Sequence, residues 1–378
     1  MKNVSKFISG ITKNVLFIFS VSILFFSCNS NTKNRELLEI PVDIDQNISL
    51  PLSEITEELT SIELELTDES LINPDMNIRV ISFENNIFVA ESNKILVFNR
   101  EGKFVRSIGS RGQGPGEYNF IMSMALDERN ERLFIISSGP WKILCYDFSG
   151  KILKELSANS ILGYAVDINY VNDEILVIDN KVGGNVEEGI LSSSILFRFS
   201  NEFKVIDSCI IQKNFDKSFS SFNKTDFILK NGKSVIIYCS EQYREKFAPR
   251  EIVLRDNLYR LEKSQLVPDL KLKFKNDGIN GGNKFIDPHN IYRSSRYIFS
   301  IYDNYTKGNR YCFCYDTKTG TGYNMQDGYT DDINGIDKPV QIRPFNFDTE
   351  MFYYLHTHMK PDDLEEPNPT LYIGKLKK

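Results

Sequence analysis

One stretch of eight residues occurs twice, 48 positions apart: Val97-Phe98-Asn99-Arg100-Glu101-Gly102-Lys103-Phe104 and Cys145-Tyr146-Asp147-Phe148-Ser149-Gly150-Lys151-Ile152. Each copy runs two apolar residues into an Asn or Asp, reaches a Gly three positions on, and leaves through Lys and another apolar residue. Asp316 through Gly320 echoes the turn with one residue more. An Asn or Asp that bonds nearby backbone, followed by a Gly free to take positive φ, makes a tight reversal between strands. A period of 40–50 residues with four short strands each is the signature of a propeller blade.

The strand signals fall into such groups. Ile78–Phe83, Ile87–Ala90, Ile95–Phe98 and Phe104–Ile108 form the first, and Met124–Leu126, Leu133–Ile136, Lys142–Tyr146 and Ile152–Leu156 the second. The third takes Ala165–Tyr170, Ile175–Ile178, Ile195–Phe199 and Val205–Ile210; the fourth takes Asp226–Leu229, Val235–Tyr238, Leu258–Leu261 and Leu270–Phe274. Ile286–Arg293, Tyr297–Tyr302, Arg310–Tyr315 and Gly322–Met325 make the fifth. The last offers only Gln341–Phe345, Met351–His356 and Thr370–Lys375, and the alternating Ser61–Leu66 is the donor of its missing strand. Pairing the first strand into the last blade closes the ring and removes an exposed edge. Long helical periodicity is absent, with at most a short turn over Ser53–Leu59, which argues against a βαβ sheet. The expectation is an all-β, six-bladed propeller of four-stranded antiparallel blades over residues 53–378, with an open β-sandwich pair as the rival.

The N-terminus reads as an address. Lys2, Lys6 and Lys13 precede twelve residues, Val15 to Phe26, that are too few for a bilayer span of about 20. Leu24-Phe25-Phe26-Ser27-Cys28 resembles the lipobox of a bacterial lipoprotein, in which cleavage before the Cys leaves it to carry lipid. The resemblance implies a signal peptide over residues 1–27, lipid on Cys28 and a polar tether over residues 28–52, against an ordinary signal peptide or an uncleaved anchor. Acyl chains give about 0.8 kcal/mol per buried methylene, which anchors an acidic domain without basic patches. Loss of three Lys and no acid takes the formal charge from −6 to −9, and an acidic surface argues against a nucleic-acid partner. Asn29 is not the Asp of inner-membrane retention, and no acidic cluster of the surface-export type follows. The expected location is the outer membrane, facing the periplasm.

Ser107-Ile108-Gly109-Ser110-Arg111-Gly112-Gln113-Gly114-Pro115-Gly116-Glu117-Tyr118 is the least ordinary segment. Together with Phe98–Arg106 it resembles NHL-type propeller repeats, and more closely the six-bladed β-propeller lipoproteins of Bacteroidetes, whose hallmark GxGPGEY is matched by Gly112, Gly114, Pro115, Gly116, Glu117 and Tyr118. The resemblance covers about residues 55–378 and implies a fold, not an activity. The loop lacks the Gly-Lys-Ser/Thr and helix of a P-loop, so a blade-to-blade turn is expected, with Arg111 as its candidate ligand-facing residue.

Trp141 beside Gly139-Pro140 is either a stacking platform or a wedge between blades. His289 and Arg293 lie on an inner strand, where side chains line a central channel, and are the remaining candidate ligand contacts. His356 and His358 share one side of a strand but have no evident third ligand; Asp362 and Asp363 are only loosely placed. Five Cys follow Cys28, an odd set read as buried packing thiols rather than disulfides or half of a zinc site. No Ser/His/Asp, HExxH or EF-hand motif is present. The functional expectation is a non-catalytic binding or scaffold module for a glycan, peptide or envelope protein, needing no cofactor. The alternative is a hydrolase or lyase with its site in the channel and calcium held by Asp127, Asp167 and Asp287. Specificity is expected in the longer connections: Asp179–Ser194, Cys239–Glu251, Lys275–Lys284 and Thr357–Pro369.

Overall fold

A computed structural model describes residues 37–73, 78–186, 189–216, 227–238, 256–275, 286–358 and 366–378. The chain opens with β1 (Leu38–Asp43), one helical turn α1 (Leu52–Ile55) and β2 (Thr56–Glu63). β3 (Arg79–Phe83), β4 (Asn86–Ala90), β5 (Ile95–Phe98) and β6 (Phe104–Ser107) make one antiparallel sheet. β7 (Phe120–Asp127), β8 (Arg132–Ser138), β9 (Lys142–Asp147) and β10 (Ile152–Ser157) make the second, and β11 (Ala165–Val171), β12 (Glu174–Val186), β13 (Gly189–Phe199) and β14 (Val205–Asp216) the third. β15 (Ile228–Asn231), β16 (Ser234–Tyr238), β17 (Asn257–Glu262) and β18 (Gln265–Lys275) follow in the same order. β19 (Ile286–Arg293), β20 (Tyr297–Asn304), β21 (Asn309–Asp316) and β22 (Thr321–Gln326) form another separate sheet. A hairpin of β23 (Tyr329–Asp331) and β24 (Ile336–Val340) leads to β25 (Arg343–Phe345), β26 (Asp348–His356) and β27 (Thr370–Leu376).

The expectation of six separate sheets is corrected. Four sheets stand alone with four strands each, while β1, β15–β18, β25–β27 and β2 form one nine-stranded sheet. The fusion rests on one parallel bridge, Lys230 to Asp348, reinforced by the Lys230 amide donating to the Phe347 carbonyl at 2.6 Å. Neighbouring sheets pack in a ring: β3 on β7, β7 on β11, β11 on β15, and β16 and β17 on β19. Asn346 joins the last strands to the first sheet, accepting from the Ser82 amide and donating to its carbonyl, both at 2.7 Å. β2 pairs antiparallel with β27 from Thr56–Leu376 to Glu63–Thr370, starting earlier than Ser61.

Sheets covered on both faces need apolar runs rather than alternation. β5 and β11 are accordingly buried throughout, whereas the outer β6 alternates half-buried and exposed residues. The repeated turn also has its physical reason. Asn99 accepts from the amides of Glu101 (3.1 Å) and Lys103 (2.8 Å), and Asp147 does the same for Ser149 and Lys151 at 2.9 Å each. Gly102 and Gly150 take φ of +79° and +93°.

A second correction concerns residues 28–52. From Leu38 onward the chain is part of the fold: β1 adds in parallel to β18, burying Ile40, Val42 and Ile44. The segment then crosses the edge of β22, where the Ile48 amide donates to the Asn324 carbonyl at 2.9 Å. Alternate apolar residues drive this, and Pro41 is tolerated because β1 is an edge strand. The signal peptide and Cys28 lie outside the described residues.

Candidate functional site

In an antiparallel meander the first and third connections share one end of the sheet; the second, and the passage onward, share the other. At the first end every turn has two to five residues, such as Asn172-Asp173 and Asn346-Phe347, which take positive φ. The opposite end carries Ile108–Asn119, the β12–β13 hairpin tip and all the longer connections, so it is called the loop end. Cys239–Glu251 and nearly all of Lys275–Lys284 lie outside the described residues, as do 359–365. Asp179–Ser194, expected as a loop, is mostly paired strand, with Asn180 opposite Ser194 and Val186 opposite Gly189.

The glycine-rich loop is knitted into itself. The Gly112 amide donates to the Tyr118 carbonyl (2.8 Å), the Gly114 amide to Glu117 Oε2 (2.8 Å), and the Gly116 amide to Glu155 (2.6 Å). A Cβ on Gly112 would stand 2.0 Å from the Glu117 carboxylate. Buried Lys142 donates to the carbonyls of Gly114 (2.7 Å) and Glu117 (3.2 Å) and pairs with Glu155 (2.9 Å). With these amides bonded inside the protein, the loop is architecture rather than a phosphate cradle. Arg111 is exposed and stacks over the equally exposed Phe120 ring at 5.7 Å. Trp141 packs edge-on against Tyr164, 5.7 Å between centroids, just ahead of the third sheet, and its amide donates to Asn159 at 2.8 Å.

Inner strands β7, β11 and β19 each slip register near their start, between Ile121 and Ser123, Ala165 and Asp167, and Pro288 and Asn290. Such a bulge re-aims side chains. The skipped residues are Met122, Val166 and His289, so the fifth sheet places an imidazole where two others place apolar groups. His289 Nε2 lies 2.7 Å from Asp303 Oδ2. The carboxylate only accepts, so Nε2 carries the hydrogen and Nδ1 is the acceptor of the neutral ring. Arg310 grips the same carboxylate with both arms, at 2.8 and 3.1 Å. Burial pushes the Asp303 carboxyl upward, but hydrogen bonds from His289 and Arg310 outweigh it and hold it well below the usual range. Tyr305, at the tip of the same hairpin, is 55% exposed, and burial with the charges of Asp287 and Asp303 raises its phenol. A polar and aromatic patch thus stands at the loop end: an imidazole, a forked guanidinium, a carboxylate and an open ring. Asp303 and Arg310 face each other in the β20–β21 register; that hairpin register was the sequence signal available for them.

The other candidates do not join this patch. Arg293 sits at the far end of β19 and pairs with Asp269 at 3.2 Å, a carboxylate also held by Arg260 at 2.9 Å. Asp127 and Asp167 do not converge with Asp287 as calcium ligands. Asp127 is bonded by Arg132 and Asn130 at the short-turn end. Fully buried Asp167 accepts from Ser123 (2.7 Å) and the amides of Phe227 (3.2 Å) and Ile228 (2.9 Å) and forms an ion pair with Arg79 (2.9 Å), joining inner strands of four groups. Among the described residues no group of three or more His, Cys, Asp or Glu is placed to hold a metal. His356 and His358 rings touch at 4.5 Å, and His358 Nε2 lies 2.7 Å from the Tyr372 hydroxyl; Asp362 and Asp363 lie outside the described residues. Cys145, Cys209, Cys312 and Cys314 are free thiols. A cleft of about 560 Å³ opens at the short-turn end, lined by Asp127, Tyr170, Asp173, Lys230 and Lys233. Two of its acids are already bonded, Asp127 by Arg132 and Asp173 by the Tyr170 hydroxyl.

Four-stranded antiparallel sheets packed in a ring define a propeller-like all-β fold. A candidate exported protein from Bacteroides fragilis shares it at 19% identity and a TM-score of 0.60, over 90% of this chain and 100% of that one. The β-propeller domain of Cps50 (Swd1) from Myceliophteria thermophila is 11% identical, with a TM-score of 0.43, over 85% and 100% of the two chains. The Pan2 WD40 domain of Neurospora crassa is also 11% identical, with a TM-score of 0.36, over 79% and 75%. The chain belongs to the family described as "Domain of unknown function (DUF4934)", matched over residues 37–377. No curated protein matches it.

Proposed function

We propose that this protein is a lipid-anchored envelope propeller that binds a glycan, peptide or partner protein through its loop end, without catalysis. The observation that carries the reading is the division between the two ends. One is closed by turns of two to five residues, and the other gathers the longer connections and the His289, Asp303, Tyr305 and Arg310 patch. Loops held on a rigid scaffold are where binding residues concentrate. An open phenol ring beside a fork of donors and acceptors suits a hydroxyl-rich ligand, with the ring as platform. The six-blade count is part of this reading. β15–β18 form one antiparallel group and β25–β27 with β2 another, joined by a single bridge, so the nine-stranded sheet is read as two blades plus the added β1. Lipid on Cys28 and an outer-membrane location facing the periplasm rest on the lipobox resemblance, and the B. fragilis relative is in keeping with export.

The test is retention of envelope glycans and peptides by the full chain on beads. Tyr305→Ala and Asp303→Asn are each expected to weaken capture about tenfold, or about 1.4 kcal/mol, with both variants still folded at the assay temperature. Unchanged capture by both variants, or turnover of a captured polymer by the wild type, would overturn the reading. Cys28→Ser is expected to release the chain from membranes.

A further inference from the structure

The cleft at the short-turn end, opposite the loop-end patch, has a chemistry of its own. β7, β11 and β15 pack side by side, and the turns that follow them leave its volume of about 560 Å³ between them. Buried Tyr170, Val171 and Val235 give its lining apolar surface. Arg129 from one hairpin, and Lys230 and Lys233 from another, bring cations to it from either side of the β11–β12 turn. Clefts of about 300–1,000 Å³ hold small organic molecules.

The charges of this lining are unevenly committed. Asp127 is 1% exposed and is held by Arg132 and Asn130, and Asp173 takes the Tyr170 hydroxyl at 3.2 Å. Among the described residues the three cations have no such partner. Every other described arginine reaches an acceptor or an aromatic ring, and the Arg129 guanidinium reaches neither. Lys230 is half-buried, yet Asp348, across the bridge that joins the nine-stranded sheet, accepts from the Glu350 amide and not from its ammonium. The remaining acid is Glu128, exposed at the rim. Lysines of the outer turns, such as Lys318, face open water. Arg129, Lys230 and Lys233 instead line one concavity, where low-dielectric walls focus their field. A half-buried ammonium without a counter-charge costs free energy that a bound anion returns. Carboxylate and phosphate are the groups that an arginine fork and lysine point charges recognise, and the apolar lining suits a carbon skeleton. We propose that this cleft is a second binding site, independent of the loop-end patch, for a small organic anion bearing a carboxylate or a phosphate.

Equilibrium dialysis of the full chain against glucuronate, glucose 6-phosphate and glucose tests this. One or both anions are expected to be retained with a Kd of about 1 mM or tighter, and glucose is not; which anion is retained decides between carboxylate and phosphate. Arg129→Gln, Lys230→Gln and Lys233→Gln are each expected to weaken retention about fivefold. The triple variant is expected to abolish it, and Lys318→Gln to leave it unchanged. None of the three side chains bonds the fold, so melting points are expected to stay at the wild-type value. Retention of neither anion, equal retention of glucose, binding that survives the triple variant, an equal loss in Lys318→Gln, or a lowered melting point in the single variants would each overturn the proposal.

Discussion

Asp167→Asn tests how the ring is held at its centre. The substitution keeps the side-chain volume, so no cavity opens, but it removes the charge and turns one acceptor into a donor. Asp167 is wholly buried, takes three donors, the Ser123 hydroxyl and the amides of Phe227 and Ile228, and is ion-paired with the Arg79 guanidinium. Arg79 is itself only 11% exposed and lies over the Phe347 ring at 5.2 Å. Removing one partner of a buried pair leaves the other's charge uncompensated, which costs about 3–5 kcal/mol. Ser123→Ala deletes a single bond and leaves the pair intact, for about 1 kcal/mol. Urea unfolding of the full chain measures both, since midpoint shifts at constant slope report stability. Arg79→Leu combined with Asp167→Leu is expected to cost less than the two single changes together, because contacting residues are not additive. A loss below about 1 kcal/mol for Asp167→Asn, or equal losses for it and Ser123→Ala, would refute the hub.

Three further outcomes are expected. Gly150→Ala meets nothing closer than 3.4 Å and suffers only the left-handed strain of about 1–2 kcal/mol; Gly102→Ala places its Cβ 1.9 Å from the Glu63 carbonyl and loses far more, so equal melting points would contradict the packing of β2 on that turn. The Asp303 carboxyl is held below its unfolded value, so the stability it contributes is complete above about pH 4 and is lost as pH falls through its folded value; Asp303→Asn should flatten the acid limb of stability against pH, and an unchanged limb argues against the His289–Arg310 grip. Burial pushes Cys312 to about 12 and Cys145 to about 11 and also raises the buried Cys314 and the half-buried Cys209; native alkylation near pH 8 should modify Cys209, the most open of these four, ahead of the other three, and peptide mapping that finds Cys312 or Cys314 ahead of it would contradict the buried thiols.

Local chemistry decided what could be read without coordinates. Asn99 with Gly102, and Asp147 with Gly150, form turns because side-chain acceptor and permissive Gly lie within a few residues, so those turns and the strands around them are visible in the chain. The corresponding turn between β13 and β14 was less visible, because Ser200 stands in for the acceptor and Phe203 takes φ of +58° in place of Gly. Ile95–Phe98 announced a strand, an unbroken apolar run, and the structure buries all of it. What required the folded molecule was every relation between residues far apart in sequence. Leu38–Asp43 looked like tether because its partner, Leu270–Lys275, is more than 200 positions away. The nine-stranded sheet depends on one bridge between Lys230 and Asp348, and the Asp167 hub gathers partners from residues 79 to 228. His289 was visible as a residue, but its meaning came from a bulge that turns it onto Asp303. Backbone propensity acts over a few residues and so is written locally; packing and ion pairing act through space, and only the closed ring brings those partners together.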